Sequence, residues 1–158
     1  MPYLHGVYTS ESPTSVVPTV NAASCLPFVI GTAPADYAGD TLVRCRTWQE
    51  FKSNFGAAES YTGADPSTLA AFGRQWFKRA GASDALFYVV DATDLADDMS
   101  EALSALDTVY EQFGLVVTVV LCPRYGKDYA TEIAAKVQKF GSGWWAIALI
   151  DLPYTWSN

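Results

Sequence analysis

Four side chains stand where an α/β protein keeps its chemistry. Asp91, Cys122, Arg124 and Asp151 each fall at or just after the end of an apolar run that reads as a strand, and open parallel sheets bind ligands outside the carboxyl ends of their strands. Two carboxylates, a thiol and a guanidinium suit acid–base, nucleophilic or anion-binding work. The segments that carry them lack the remaining parts. No strand is followed by a G-x-G-x-x-G or Walker loop, so no phosphate cradle is expected. A reactive thiolate needs a neighbouring base or a helix N-terminus, yet Cys122 is followed by Pro123, and its nearby cations are Arg124 and Lys127. The one histidine, His5, lies in the N-terminal segment, away from the apolar runs, and reads as an exposed or hydrogen-bonded side chain. Asp91 and Asp151 are expected to cap the loops or helices after their strands, or to pair with a basic neighbour. No catalytic residue, cofactor site or metal site is assigned.

Composition narrows the remaining classes. The 158 residues suit a single domain able to bury a core without disulfides or metal. Half are hydrophobic and 17% charged, which leans towards a protein with partners. Seventeen Asp and Glu against ten Lys and Arg leave a formal charge of −7; phosphate-backbone binding needs clustered cations, so nucleic acid is not expected as a ligand. Cys25, Cys45 and Cys122 have no close pair and sit in or beside apolar runs, which reads as three buried thiols in a reducing compartment. There is no C-x-x-C or Cys/His cluster for zinc. The N-terminus has no signal-peptide pattern, and Leu115–Cys122 is far too short to cross a membrane, so a cytosolic chain without membrane insertion is expected.

The elements that would position these residues follow from periodicity and punctuation. Between Pro2 and Pro18 the chain has almost no helix formers, and its prolines and β-branched residues favour extended backbone. At about 3.3 Å per residue, some twenty residues reach on the order of 65 Å, beyond the diameter of a domain this size. Residues 1–23 therefore read as an arm able to reach a neighbouring subunit, with Tyr3, His5, Gly6, Val7, Tyr8, Glu11, Val16, Val17 and Val20 as its contact residues. A core follows over 24–153, then a terminal segment, 154–158.

Within the core, Cys25–Gly31 and Leu42–Arg46 read as strands, antiparallel to one another or in separate layers because the link of about nine residues is too short for a parallel crossover. Thr47 and Glu50 form a capping box that opens a helix closed by Gly56, with Trp48, Phe51 and Phe55 on one face. Asp65-Pro66 is expected to start a helix that Gly81 stops. Leu86–Val90 reads as a strand, Met99–Phe113 as one helix ended by Gly114, Leu115–Leu121 as a strand covered on both faces, Tyr129–Phe140 as a helix, and Trp144–Leu152 as the last strand. The expected fold is α/β: a mixed, largely parallel sheet flanked by helices, with an extended N-terminal arm. Tyr3, Tyr8, Trp144, Trp145, Tyr154 and Trp156 gather aromatic side chains in the terminal segments, the type enriched at interfaces. Trp144 and Trp145 also fit a plainer role, covering the two faces of the last strand.

The order of motifs resembles one family, the contractile tail sheath proteins of bacteriophages and of phage-tail-like particles such as R-type bacteriocins. The matching pieces run nearly the length of the chain: His5-Gly6-Val7-Tyr8 with Glu11, Val16-Val17-Pro18-Thr19-Val20, Phe28-Val29-Ile30-Gly31-Thr32-Ala33-Pro34 and Phe51-Lys52-Ser53-Asn54-Phe55-Gly56. Ser67-Thr68-Leu69-Ala70 with Trp76-Phe77, and Ala148-Leu149-Ile150-Asp151-Leu152-Pro153, complete the succession. The resemblance implies a structural subunit that surrounds a tail tube in stacked rings and contracts to drive the tube through a cell envelope, with no nucleotide hydrolysed. It implies arms that add strands to neighbouring copies, partners among copies of itself, the tail tube, the baseplate and the terminator, and a place in the virion tail after assembly in the host cytoplasm. Family members are commonly much longer and carry a further C-terminal domain, so this chain is expected to be either a fragment or a shortened relative. Another tail component, such as a terminator or baseplate protein, and a small α/β ligand-binding domain or enzyme using Asp91, Cys122 and Asp151, stand as the alternatives.

Overall fold

The computed structural model describes residues 25–56, 67–82, 84–141 and 143–151. The nine arm residues, the Asp65-Pro66 helix start, Tyr154 and Trp156 lie outside the described residues.

Five strands form one sheet: β1 (Pro27–Gly31), β2 (Leu42–Cys45), β3 (Ala85–Val89), β4 (Val119–Leu121) and β5 (Ile147–Leu149), in the spatial order β2-β3-β1-β4-β5. β1 pairs in parallel with β3 and β4, and β4 with β5, while β2 runs antiparallel along the outer edge of β3. The mixed, largely parallel α/β sheet is as expected. β2 is antiparallel in direction to β1, but β3 separates them, so the nine-residue link spans the sheet rather than closing a hairpin.

Alternation along the strands sorts side chains into two layers. Phe28, Ile30, Leu86, Tyr88, Val120 and Ala148 face one side and pack with α3 (Leu95–Ala105), α4 (Val109–Phe113) and α5 (Ala130–Val137). Val29, Ala85 and Phe87 face the other and pack with α1 (Trp48–Phe55), α2 (Thr68–Gly73) and a π-helical segment, Arg74–Arg79, that continues α2. This second layer is aromatic: the Phe87 ring lies 5.0 Å from that of Phe51, 5.5 Å from Phe55 and 6.2 Å from Phe77.

Local chemistry sets the helix ends. Thr47 Oγ1 accepts from the Glu50 amide at 3.2 Å, while the Glu50 carboxylate accepts the Arg46 amide at 2.7 Å, one residue earlier than in the standard capping box. Gly56 closes α1 at a positive φ of 74°. The next helix departs from expectation. Its N-cap is Ser67, whose hydroxyl accepts the Ala70 amide at 3.1 Å, so α2 begins after the Asp65-Pro66 pair. The single helix expected over Met99–Phe113 begins earlier, at Leu95, and is broken at Leu106–Thr108. Asp107 explains the break: its carboxylate accepts the Gly141 amide and the Lys136 ammonium, each at 2.7 Å, tying the turn to the end of α5.

The expected strands at Leu115–Leu121 and Trp144–Leu152 shrink to three residues each. Trp144 instead bridges to Phe140, and its ring packs 5.8 Å from that of Tyr110. β4 is fully covered on one face, where Val120 is buried, and partly on the other, where Leu121 is half-buried against the second layer and Val119 is half-exposed. Trp145, 72% exposed, covers neither face of β5.

Candidate functional site

The four strand-end residues are not gathered into one site. Asp91 closes its own loop: its carboxylate accepts the Thr93 amide and hydroxyl, both at 2.8 Å, and these bonds hold it below the usual carboxylate range. Its own amide donates to Asp98 at 2.6 Å. On the far side of β1, Asp151 accepts the Arg124 amide at 2.6 Å and so holds Arg124 at a φ of 75°, a left-handed backbone that non-glycine residues rarely adopt. Asp91 holds the loop after its own strand, as expected; Asp151 instead holds the loop after β4, an amide contact from a different strand end.

Cys122, the residue after β4, is buried. Burial, and then the nearby Asp151 charge, push its thiol up to about 12. A reactive thiolate calls for a shift in the opposite direction. Cys45 is likewise pushed to about 12, chiefly by burial. The third thiol overturns its expectation: Cys25 precedes β1 and is exposed. Among the described residues no group of three His, Cys, Asp or Glu could hold a metal ion, and no helix is long and apolar enough to cross a membrane.

A different feature organises the strand ends. Thr32, just beyond β1, and Thr68, the first residue of α2, exchange bonds: the Thr32 amide donates to Thr68 Oγ1 at 2.9 Å and the Thr68 amide to Thr32 Oγ1 at 3.2 Å. The Ser67 hydroxyl adds a bond to the Thr32 carbonyl at 2.8 Å. This buried clamp draws α2 onto the sheet, close enough that a Cβ on Gly31 would fall 2.2 Å from Thr68 Oγ1. Two separate segments of the sequence resemblance, Gly31-Thr32 and Ser67-Thr68, are thus halves of one structural joint. The sequence reading took them as a strand end and a helix start, and no signal in either segment discloses that they meet.

The clamp also leaves part of the sheet bare. α1, α2 and the π-helical segment cover β2, β3 and β1 and reach β4 at Leu121, which is half-buried against them, whereas Ile147 and Leu149 of β5 stay exposed on that face. There Val119 and Leu121 pair with Ile147 and Leu149, which are 56% and 55% exposed. β5 is the sheet edge, so its outer row of amides and carbonyls has no strand partner among the described residues. Beside this face a groove of about 540 Å³ opens between α2 and the β4–α5 loop, with Ala71, Phe72 and Pro123 as apolar lining and Arg74 and Arg124 at its rim. Asp91 lines another groove, about 460 Å³, over the ends of β1 and β3, which confirms that Asp91 and Arg124 serve different surfaces.

No protein-family model matches the chain, and no curated protein matches it. Among solved structures, the chain is similar to the helical sheath of the anti-feeding prophage in its contracted state, with 18% sequence identity and a TM-score of 0.45. The match covers 98% of this chain and 42% of that one, so this chain spans less than half the length of the protein it resembles.

Proposed function

We propose that the chain is a structural subunit of a contractile tail sheath, which surrounds a tail tube and contracts to drive it through a cell envelope, without enzymatic activity or a cofactor. The observation that carries this reading is the exposed β5 edge: Ile147 and Leu149 stand exposed on the open edge strand, with Trp145 exposed just before it. An apolar edge of this kind is a liability in a monomer and an asset in a subunit, because it offers main-chain hydrogen bonds to an incoming strand and side chains to fix its register. The ordered succession of sheath-like motifs, from His5-Gly6-Val7-Tyr8 to Ala148–Pro153, supports the choice of a sheath among assembling proteins.

In this reading residues 1–23 form the arm, with Tyr3, His5, Gly6, Val7, Tyr8, Glu11, Val16, Val17 and Val20 contacting a neighbouring copy, 24–153 form the core, and 154–158 a terminal segment. The partners are further copies in stacked rings, the tail tube, and the baseplate and terminator at the two ends; the location is the virion tail, assembled in the host cytoplasm. Immunogold labelling of tail particles with an antibody to this chain tests it. Label along the whole shaft is expected. Label confined to one end would reassign the chain to the terminator or baseplate, and unlabelled particles would refute a structural role in the tail.

A further inference from the structure

The apolar groove between α2 and the β4–α5 loop has a chemistry that the sheet edge alone does not explain. It is lined by Ala71, Phe72 and Pro123, by the polar Thr68 and Gln75, and by two arginines, Arg74 and Arg124. Arg74 makes no ion pair among the described residues, and the Arg124 guanidinium lies only over the Tyr125 ring, 5.5 Å from its centroid. Arg124 is also pre-set: the Asp151 bond holds its backbone in the left-handed region at no cost to the arginine's own donors. Two unpaired cations beside a largely apolar lining, in a chain of net charge −7, call for an acidic occupant with an apolar centre.

The chain carries such a surface on the other side of β1. From Arg79 to Arg124 the sequence contains no Lys or Arg between them. Within that stretch the β3–α3 loop and the first turns of α3 form a ridge bearing Asp91, Asp94, Asp97, Asp98 and Glu101, with the exposed Ala92 and Ala96 interleaved and Leu95 turned to the chain's own core. Asp94, Asp97 and Glu101 are exposed and have no cationic partner among the described residues. The field of the ridge is felt locally: after burial, the charges of Glu101 and Asp98 help push the Tyr88 phenol up.

We infer that the groove receives the acidic ridge of a second copy of this chain, the exposed Ala92 and Ala96 seating on Phe72 and Pro123 while Asp94 and Asp97 meet Arg74 and Arg124. The inference rests on the assembly reading above and names the faces it would use. Groove and ridge lie on opposite sides of β1 in the strand order, so the contact joins two unlike patches. Such a heterologous contact leaves one free groove and one free ridge at the ends of every oligomer and builds rings or filaments rather than closed pairs.

Sedimentation velocity on the full chain tests the contact with two charge-reversed variants, Arg74→Glu with Arg124→Glu, and Asp94→Lys with Asp97→Lys. Wild type is expected to self-associate, more strongly at low salt, and each variant to weaken that association about tenfold or more. The decisive sample is their mixture: the first variant keeps its ridge but has lost its groove, the second the reverse. Reversing both sides also makes their damaged faces complementary, so a one-to-one mixture should associate where neither variant does alone. Circular dichroism of each variant verifies folding, and glutamine replacements at the same positions supply a milder second set. Self-association of wild type untouched by either variant would overturn this contact while leaving the assembly reading intact. A chain monomeric at millimolar concentration would overturn the contact outright, and shaft labelling of particles would then judge the assembly reading separately.

Discussion

The sheet is sealed at its centre and open at its β5 edge, and substitutions in the two places should differ sharply. Phe87 is 0% exposed and stands at the centre of the second layer, with the rings of Phe51, Phe55, Phe72 and Phe77 all within 6.2 Å. Phe87→Ala removes the buried ring and leaves a hole that four rigid neighbours close poorly, so it should cost about 3–5 kcal/mol. For a chain of this size each kcal/mol corresponds to about 2–4 °C, giving a fall in Tm of roughly 6–20 °C. Against a typical total stability of about 5–15 kcal/mol the variant should be marginal yet measurable. Leu149→Ala removes a comparably apolar side chain from a site 55% exposed and should change stability by no more than about 0.5 kcal/mol in dilute protein. Urea unfolding followed by circular dichroism measures both. The reasoning fails if Phe87→Ala lies within about 1 kcal/mol of wild type, or if Leu149→Ala is as costly as Phe87→Ala.

Further outcomes follow from particular contacts. Iodoacetamide at neutral pH should alkylate Cys25 in the folded chain and spare Cys45 and Cys122, whose thiols are buried and pushed up to about 12; intact mass should show one adduct folded and three after denaturation. Asp107 is held below the usual carboxylate range first by the Gly141 amide and then by Lys136. Its contribution is therefore present above the unfolded carboxylate range and lost as pH falls through the lower folded value, so the Tm deficit of Asp107→Asn at pH 7 should shrink in acid. A deficit that grows below pH 4 would contradict this. Gly73→Ala should destabilise by about 1–3 kcal/mol, because its Cβ would fall 2.2 Å from Cζ of Phe51; an equally stable variant would mean that α1 and α2 are not packed as described.

Much of the fold was legible because local chemistry and long-range packing agreed. Thr47, Glu50 and Gly56 mark the ends of α1 by side-chain and backbone rules that need no tertiary context. Gly114 and Gly141 sit at positive φ just past the expected helices. Agreement failed where a distant partner decided. Ser67 became the cap because the Thr32–Thr68 clamp fixes where α2 meets the sheet, and helix-compatible Asp107 became a turn because Gly141 and Lys136 claim its carboxylate. The apolar run Leu115–Leu121 suggested a strand sealed on both faces; nothing in its residues reveals that the helices of one layer reach only Leu121 and leave Val119 half-exposed. The strand-end quartet was legible as a set of positions and not as a site, since periodicity cannot say that β1 stands between Asp91 and Arg124. Asp91 does hold the loop after its own strand, whereas Asp151 holds the loop after β4, which its position in the sequence did not suggest.

The central claim, that this chain works as a repeating wall of a tail and uses its open β5 side to meet its neighbours, is tested most directly by a cryo-EM map of tail particles that contain it. The account predicts the five-stranded sheet repeated helically around the tube, with Trp145, Ile147 and Leu149 covered by an adjoining copy. A map that shows the chain absent from the shaft, or repeated there with the β5 edge facing solvent, would contradict it.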